Sequence, residues 1–146
     1  MKKSEVFDLL SFLENTDFNN IQNSVFQYAV QRNIDRFGRE AKTLQKTIES
    51  MKPNGFKELH TEVLPIMMAA MKDAKPEQQA EIEAKVLSDW EKGEDWKKQS
   101  DAYRKEVNEL LESDSDINLY KIKFSTIEGL GLNQNQMKAV MPLIEE

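Results

Sequence analysis

The chain contains no cysteine, so disulfides, thiolate metal sites and cysteine nucleophiles are all excluded. Histidine is nearly absent too. His60 stands alone, with Glu58 and Glu62 near in sequence but no second imidazole to complete a usual zinc ligand set. It has no nucleophile elbow to serve as the base of a serine triad. Glycine and proline number five and four, and no glycine-rich loop of the phosphate-cradling kind occurs. The longest uncharged apolar run, Val63 to Met71, is far too short to span a bilayer. The opening Met1-Lys2-Lys3 meets Ser4-Glu5 too early for a signal peptide, so a soluble, non-membrane protein is expected. Basic residues are outnumbered, 20 against 26 acidic, for a net charge of -6. A general nucleic-acid binder needs the opposite balance to release counterions from phosphate.

What the chain has in quantity is helical periodicity. Val30, Ile34, Phe37, Ala41, Leu44, Ile48 and Met51 recur at spacings of four and three, which keeps one apolar seam on one side of a long helix. Trp96, Ser100, Tyr103, Val107 and Leu110 follow the same rhythm downstream and offer a partner. The expected fold is therefore mainly α: a long antiparallel helical hairpin, shorter packing helices, and one short β element near 117–124. At 146 residues, 32% of them charged, a single elongated domain is expected. Whether the seam closes within one chain or between two is open on the sequence.

The remaining punctuation follows from local chemistry. Ser4, with Glu5 and Asp8, reads as the start of a first helix, and Asn15-Thr16-Asp17 as its end. The second helix is predicted from about Phe18 to Met51, with Gly38 tolerated inside it. Pro53-Asn54-Gly55 is a turn, and Pro65 should kink or restart the helical stretch 56–74. Pro76 suits a helix first turn, with Glu77 and Glu81 complementing the dipole. Gly93 either ends that helix, giving a new one over about 94–113, or is absorbed within it. Residues 117–124 alternate and favour strand. A short echo between residues 3–9 and 124–130 suggests the N-terminus as the strand's partner. Ser125 caps a helical turn, and Asn133 starts a last helix through Met137, Val140 and Leu143.

Two groups of residues are candidate sites. Arg32, Arg36 and Arg39 fall at i, i+4 and i+7, with Lys46 further along. Guanidinium forks grip phosphate or carboxylate, so this stripe is a candidate anion- or partner-binding site. Equally, such charges flank a heptad seam to pair with acids on the opposing helix, here Glu94, Asp95, Asp101, Glu106 and Glu109. Leu64, Ile66, Met67, Met68 and Met71 form a methionine-dense patch suited to protein contact, or to filling a core beside Pro65. Trp90 and Trp96 either frame a pocket between them or anchor separate helices. Paired acids such as Glu81 and Glu83, or Asp114 and Asp116, read as solvated surface. No catalytic constellation stands out, so no enzyme activity, cofactor or metal is expected.

The run from Ile117 to Leu130 and the Met137–Glu146 ending resemble the close of a family of short bacteriophage accessory proteins. Ser4-Glu5-Val6-Phe7 and the Arg32-to-Glu49 helix resemble that family's opening. The first and last fifty or so residues are covered; 52–93 is unmatched and reads as a helical insertion. The resemblance implies a non-enzymatic protein of the host cytoplasm or the virion. It would act by binding another protein or itself, as a homo-oligomer. The alternative is a counter-defence sponge that captures a nucleotide or other small anion on the arginine stripe.

Overall fold

The computed structural model describes residues 1–145, and the protein is mainly α. Helix α1 (Lys3–Asn15) is followed by the long α2 (Ser24–Met51). Next come α3 (Gly55–Glu58), a π-helical turn at Leu59–Val63, and α4 (Leu64–Met71). Helices α5 (Pro76–Asp89) and α6 (Gly93–Glu112) complete the middle of the chain. The last segment holds β1 (Ile122–Lys123), α7 (Phe124–Ile127), α8 (Gln134–Val140), a 3₁₀ turn (Met141–Leu143) and β2 (Ile144–Glu145). Both long helices of the expected hairpin, α2 and α6, are present. The chain divides into two compact units, one formed by residues 1–47 with the segment from Leu110 onward, the other by Ile48–Glu109.

The first unit holds the contiguous hydrophobic core. Val6, Leu9 and Leu13 of α1 meet Phe26, Val30 and Phe37 of α2, with Ile122, Ile127, Val140 and Leu143 from the C-terminal segment. Phe18 packs edge-on against Phe26, ring centroids 5.6 Å apart. Fully burying one such apolar side chain is worth about 1.5–3 kcal/mol.

Local chemistry corrects several expected boundaries here. The first helix begins at Lys3, not Ser4, because the Lys2 N–H is met by the Glu5 carboxylate at 2.6 Å. Helix α2 begins at Ser24 rather than Phe18. Asn23 accepts the Phe26 N–H at 2.9 Å, while Phe18 and Ile21 lie in the preceding loop with their side chains still buried. Gln27 holds that loop by donating to the carbonyls of Phe18 (2.7 Å) and Ile21 (2.8 Å).

The β element is shorter than expected and pairs elsewhere. Ile122 and Lys123 run parallel to Ile144 and Glu145, so the partner is the C-terminal segment. The N-terminus instead makes one antiparallel bridge, Lys2 with Asp114, upstream of the strand. Lys3 N–H donates to the Ser113 carbonyl and Ser115 N–H to that of Met1. Residues 117–121 form no strand pairing, and at Tyr120 a side chain takes the partner's place. Asn33, fully buried on α2, donates through Nδ2 to the Tyr120 carbonyl and accepts the Tyr120 N–H at Oδ1, both at 2.8 Å.

The second unit is thinly packed. Its buried residues are Gly55, Val63 and Ser100, and neither α4 nor α5 buries any. Phe56 is its centre, edge-on to Trp96 (4.5 Å) and Tyr103 (5.1 Å), with the Lys52 ammonium 5.9 Å from its ring. Pro65 has its effect one turn upstream. Proline has no N–H and its ring crowds the carbonyl four residues back. The helix answers by widening: Leu64 N–H reaches the Leu59 carbonyl, five residues back. Gly93 opens a new helix, which settles the alternative left by the sequence.

Candidate functional site

The second unit carries the two features that stand apart from ordinary packing. The first is a cleft of about 770 Å³ between the end of α5 and the first half of α6. A tight turn builds it. Trp90 N–H bonds back to the Leu87 carbonyl and Gly93 N–H to that of Trp90. Glycine is required at 93, because a Cβ there would collide with the Leu87 carbonyl. The turn sets Trp90 at one wall, and α6 brings Trp96 and Ser100 to the same cleft. Both tryptophans of the chain line this cleft, and Trp96 also packs edge-on against Phe56 of α3, so it serves the anchoring reading as well.

Four carboxylates line it as well, Glu91, Glu94, Asp95 and Asp101, against the cations Lys97 and Arg104. None of the six takes part in an ion pair among the described residues. Lys92, just outside, is engaged with Glu62 at 3.2 Å and Glu58 at 3.7 Å. The hydrogen bond to Glu62 raises its ammonium above the ordinary lysine value, and the charge of Glu58 adds to this.

The second feature is α4 itself. Its sequence, Leu-Pro-Ile-Met-Met-Ala-Ala-Met, carries no charge, yet Ile66 is 61% and Met68 66% exposed. Leu64, Met67 and Met71 are only partly covered. The patch is thus a surface of its unit and not its core filler. Exposed apolar surface that is contiguous, rather than scattered, marks contact sites.

The arginine stripe lies on α2 and is only partly free. Arg36 donates to the Asn118 carbonyl at 2.8 Å, and its guanidinium lies 5.7 Å from the Tyr120 ring centre. Tyr120 in turn stands edge-on to Tyr28. Arg32, Arg39 and Lys46 are exposed and form no ion pair among the described residues. His60 is exposed on the π turn. No group of three or more metal-ligating side chains comes together among the described residues. No helix among them is long and apolar enough to cross a membrane.

A second, smaller groove of about 490 Å³ runs beside Phe12, Asn15, Asn135 and Lys138 in the first unit. Its floor is structural. Gln136 is buried and spends its amide on the Asp17 carbonyl (2.9 Å) and Asn20 Oδ1 (2.7 Å).

Periodicity alone did not reveal Ser100 as a cleft residue. A small polar side chain in an apolar register, beside Trp96, is the signal that could have found it. No protein-family model matches this chain, and neither the curated proteins nor the solved structures contain a match.

Proposed function

We propose that the protein acts by self-association through α4 and is not an enzyme. The observation that carries this reading is an eight-residue uncharged helix in which no residue is buried. Methionine suits such a surface because its unbranched, polarizable chain adapts to a facing copy of itself. Leu64, Met67, Met68 and Met71 are the contact residues of this reading. The resemblance of the chain's first and last fifty residues to phage accessory proteins supports a non-enzymatic role in the host cytoplasm or the virion.

Light-scattering mass across a dilution series tests it. The expected result is an assembly larger than one chain, which Met68→Asp shifts to the monomer by placing a charge in the contact. A monomer at every concentration would remove the reading.

The rival reading, a small-anion sponge on Arg32, Arg36, Arg39 and Lys46, has less support. Arg36 is committed to a backbone carbonyl and an aromatic face within its own unit.

A further inference from the structure

The Trp90–Trp96 cleft has a composition that α4 and self-association do not explain. Aromatic faces and carboxylates attract the same kind of ligand, a cation, through the ring quadrupole and through charge. Here four carboxylates face the cleft without an ion-pair partner among the described residues. The two cations that also line it, Lys97 and Arg104, leave the lining acidic, and neither sits over an indole among the described residues. Glu94 and Asp95 have a structural role in the first turn of α6, where they complement the helix dipole. Glu91 precedes that turn and Asp101 follows it by two turns, so the dipole does not account for them.

A second observation is independent of charge. Ser100 is 6% exposed and lines the cleft, yet its hydroxyl has no hydrogen-bond partner among the described residues. No wholly sealed side-chain oxygen goes unpaired among the described residues, so the Ser100 oxygen keeps some access, and Ser100 lines the cleft. A largely covered hydroxyl whose oxygen is still accessible and unpaired is able to accept a hydrogen bond from a ligand in the cleft. Neither indole N–H donates a hydrogen bond among the described residues. Trp96 is braced edge-on by Phe56, which fixes the orientation of one wall.

We propose that this cleft binds an organic cation carrying N–H donors, a guanidinium or alkylammonium head. The head would lie between the indoles, balanced by Glu91 and Asp101, and donate to Ser100. A free small cation and an arginine or lysine side chain of a peptide share that chemistry.

Both tryptophans line the cleft, so their emission reports on it directly. The full chain is titrated at constant ionic strength with N-acetyl-arginine amide, and with its neutral isostere N-acetyl-citrulline amide as control. The expected result is a saturable change with the arginine compound and none with citrulline. Binding should weaken by about fivefold or more in Glu91→Gln/Asp101→Asn, both sites being exposed and safe for folding. An arginine-bearing peptide that binds more tightly than the capped residue assigns the site to a protein-borne side chain, and equal affinity assigns it to a free cation. No saturable change, or the same change with citrulline or in the double variant, overturns the proposal.

Discussion

Asn33 holds the backbone of Tyr120 at both ends of the residue, giving its amide nitrogen to the carbonyl and its oxygen to the N–H. The same nitrogen also reaches the Ala29 carbonyl at 2.8 Å, so the orientation of the amide is fixed by its neighbours. One buried side chain thereby does the work of a neighbouring strand.

Replacing Asn33 with alanine leaves the N–H and carbonyl of Tyr120 without this partner. The expected loss is about 3 kcal/mol of unfolding free energy, read from the urea midpoint by circular dichroism. Asn33→Asp keeps the acceptor but turns an oxygen toward two carbonyls. Burial would raise that carboxyl above its ordinary range, so this variant should be most stable in acid. It should lose stability as pH rises from the unfolded toward the folded value. A variant that grows more stable on going from acid to neutral pH would contradict the arrangement.

Gln136 exchanges hydrogen bonds with Asn133 to cap α8, and its amide nitrogen ties down the loop at Asp17 and Asn20. Gln136→Ala should cost about 2 kcal/mol, the sum of a lost cap and a lost buried contact. Amide hydrogen exchange should show the cost in two places, with faster exchange at the first turn of α8 and around residues 17–20. Acceleration at only one of them would mean the two are not coupled through this side chain.

Two glycines should respond to alanine with opposite signs. Gly38 lies inside α2, and a Cβ there meets nothing within 4 Å, so Gly38→Ala should stabilise by about 0.5–1 kcal/mol. At Gly93 the added carbon meets the Leu87 carbonyl, and the turn must shift. Gly93→Ala should destabilise the second unit and change tryptophan emission, whereas Gly38→Ala should leave emission unchanged. Thermal melts of the pair, followed by fluorescence, test both.

Lys92 gives a pH signature. Its ammonium is raised above the ordinary 10.5 by the hydrogen bond to Glu62, aided by the charge of Glu58. A raised value in the folded state means the contribution is complete below the unfolded value and is lost as pH rises through the folded one. The melting difference between the parent and Lys92→Met should therefore be constant from neutrality to about pH 10 and shrink above it. Being exposed and open to solvent ions, the difference should be small and should fall further with salt.

The long helices were legible in the sequence because their signal is periodic and redundant. Val30, Phe37, Ala41 and Leu44 of the predicted seam are all buried. Single positions fared less well. Asn33 sits between Val30 and Phe37 in the buried row, where the heptad reading placed Ile34, and a polar residue there broke the pattern rather than announcing a role. The run 117–124 is visibly β-prone, but strand propensity does not name a partner, and a side-chain amide satisfies part of it. The Asn133-to-Gln136 spacing was a readable cap. That Gln136 also reaches a loop more than a hundred residues earlier was not readable from local chemistry. At the candidate sites, the α4 methionines and the two tryptophans were visible as residue types. Their exposure and their shared cleft depend on how tightly the second unit packs, which composition does not report.

The first unit is assembled from two segments far apart in sequence, and this bears on the order in which its parts can come together. Val6, Leu9 and Leu13 are synthesised well before Val140 and Leu143, which close over the same core. Until they arrive, α1 and the start of α2 have each other but lack the rest of their native cover. The second unit, continuous in sequence, can gather while they wait. Closing the first unit then requires a loop spanning most of the chain, a step of high contact order and correspondingly slow. Helices α1 and α2 are thus the part of the first unit that waits longest for its packing partners, with apolar surface open to aggregation meanwhile.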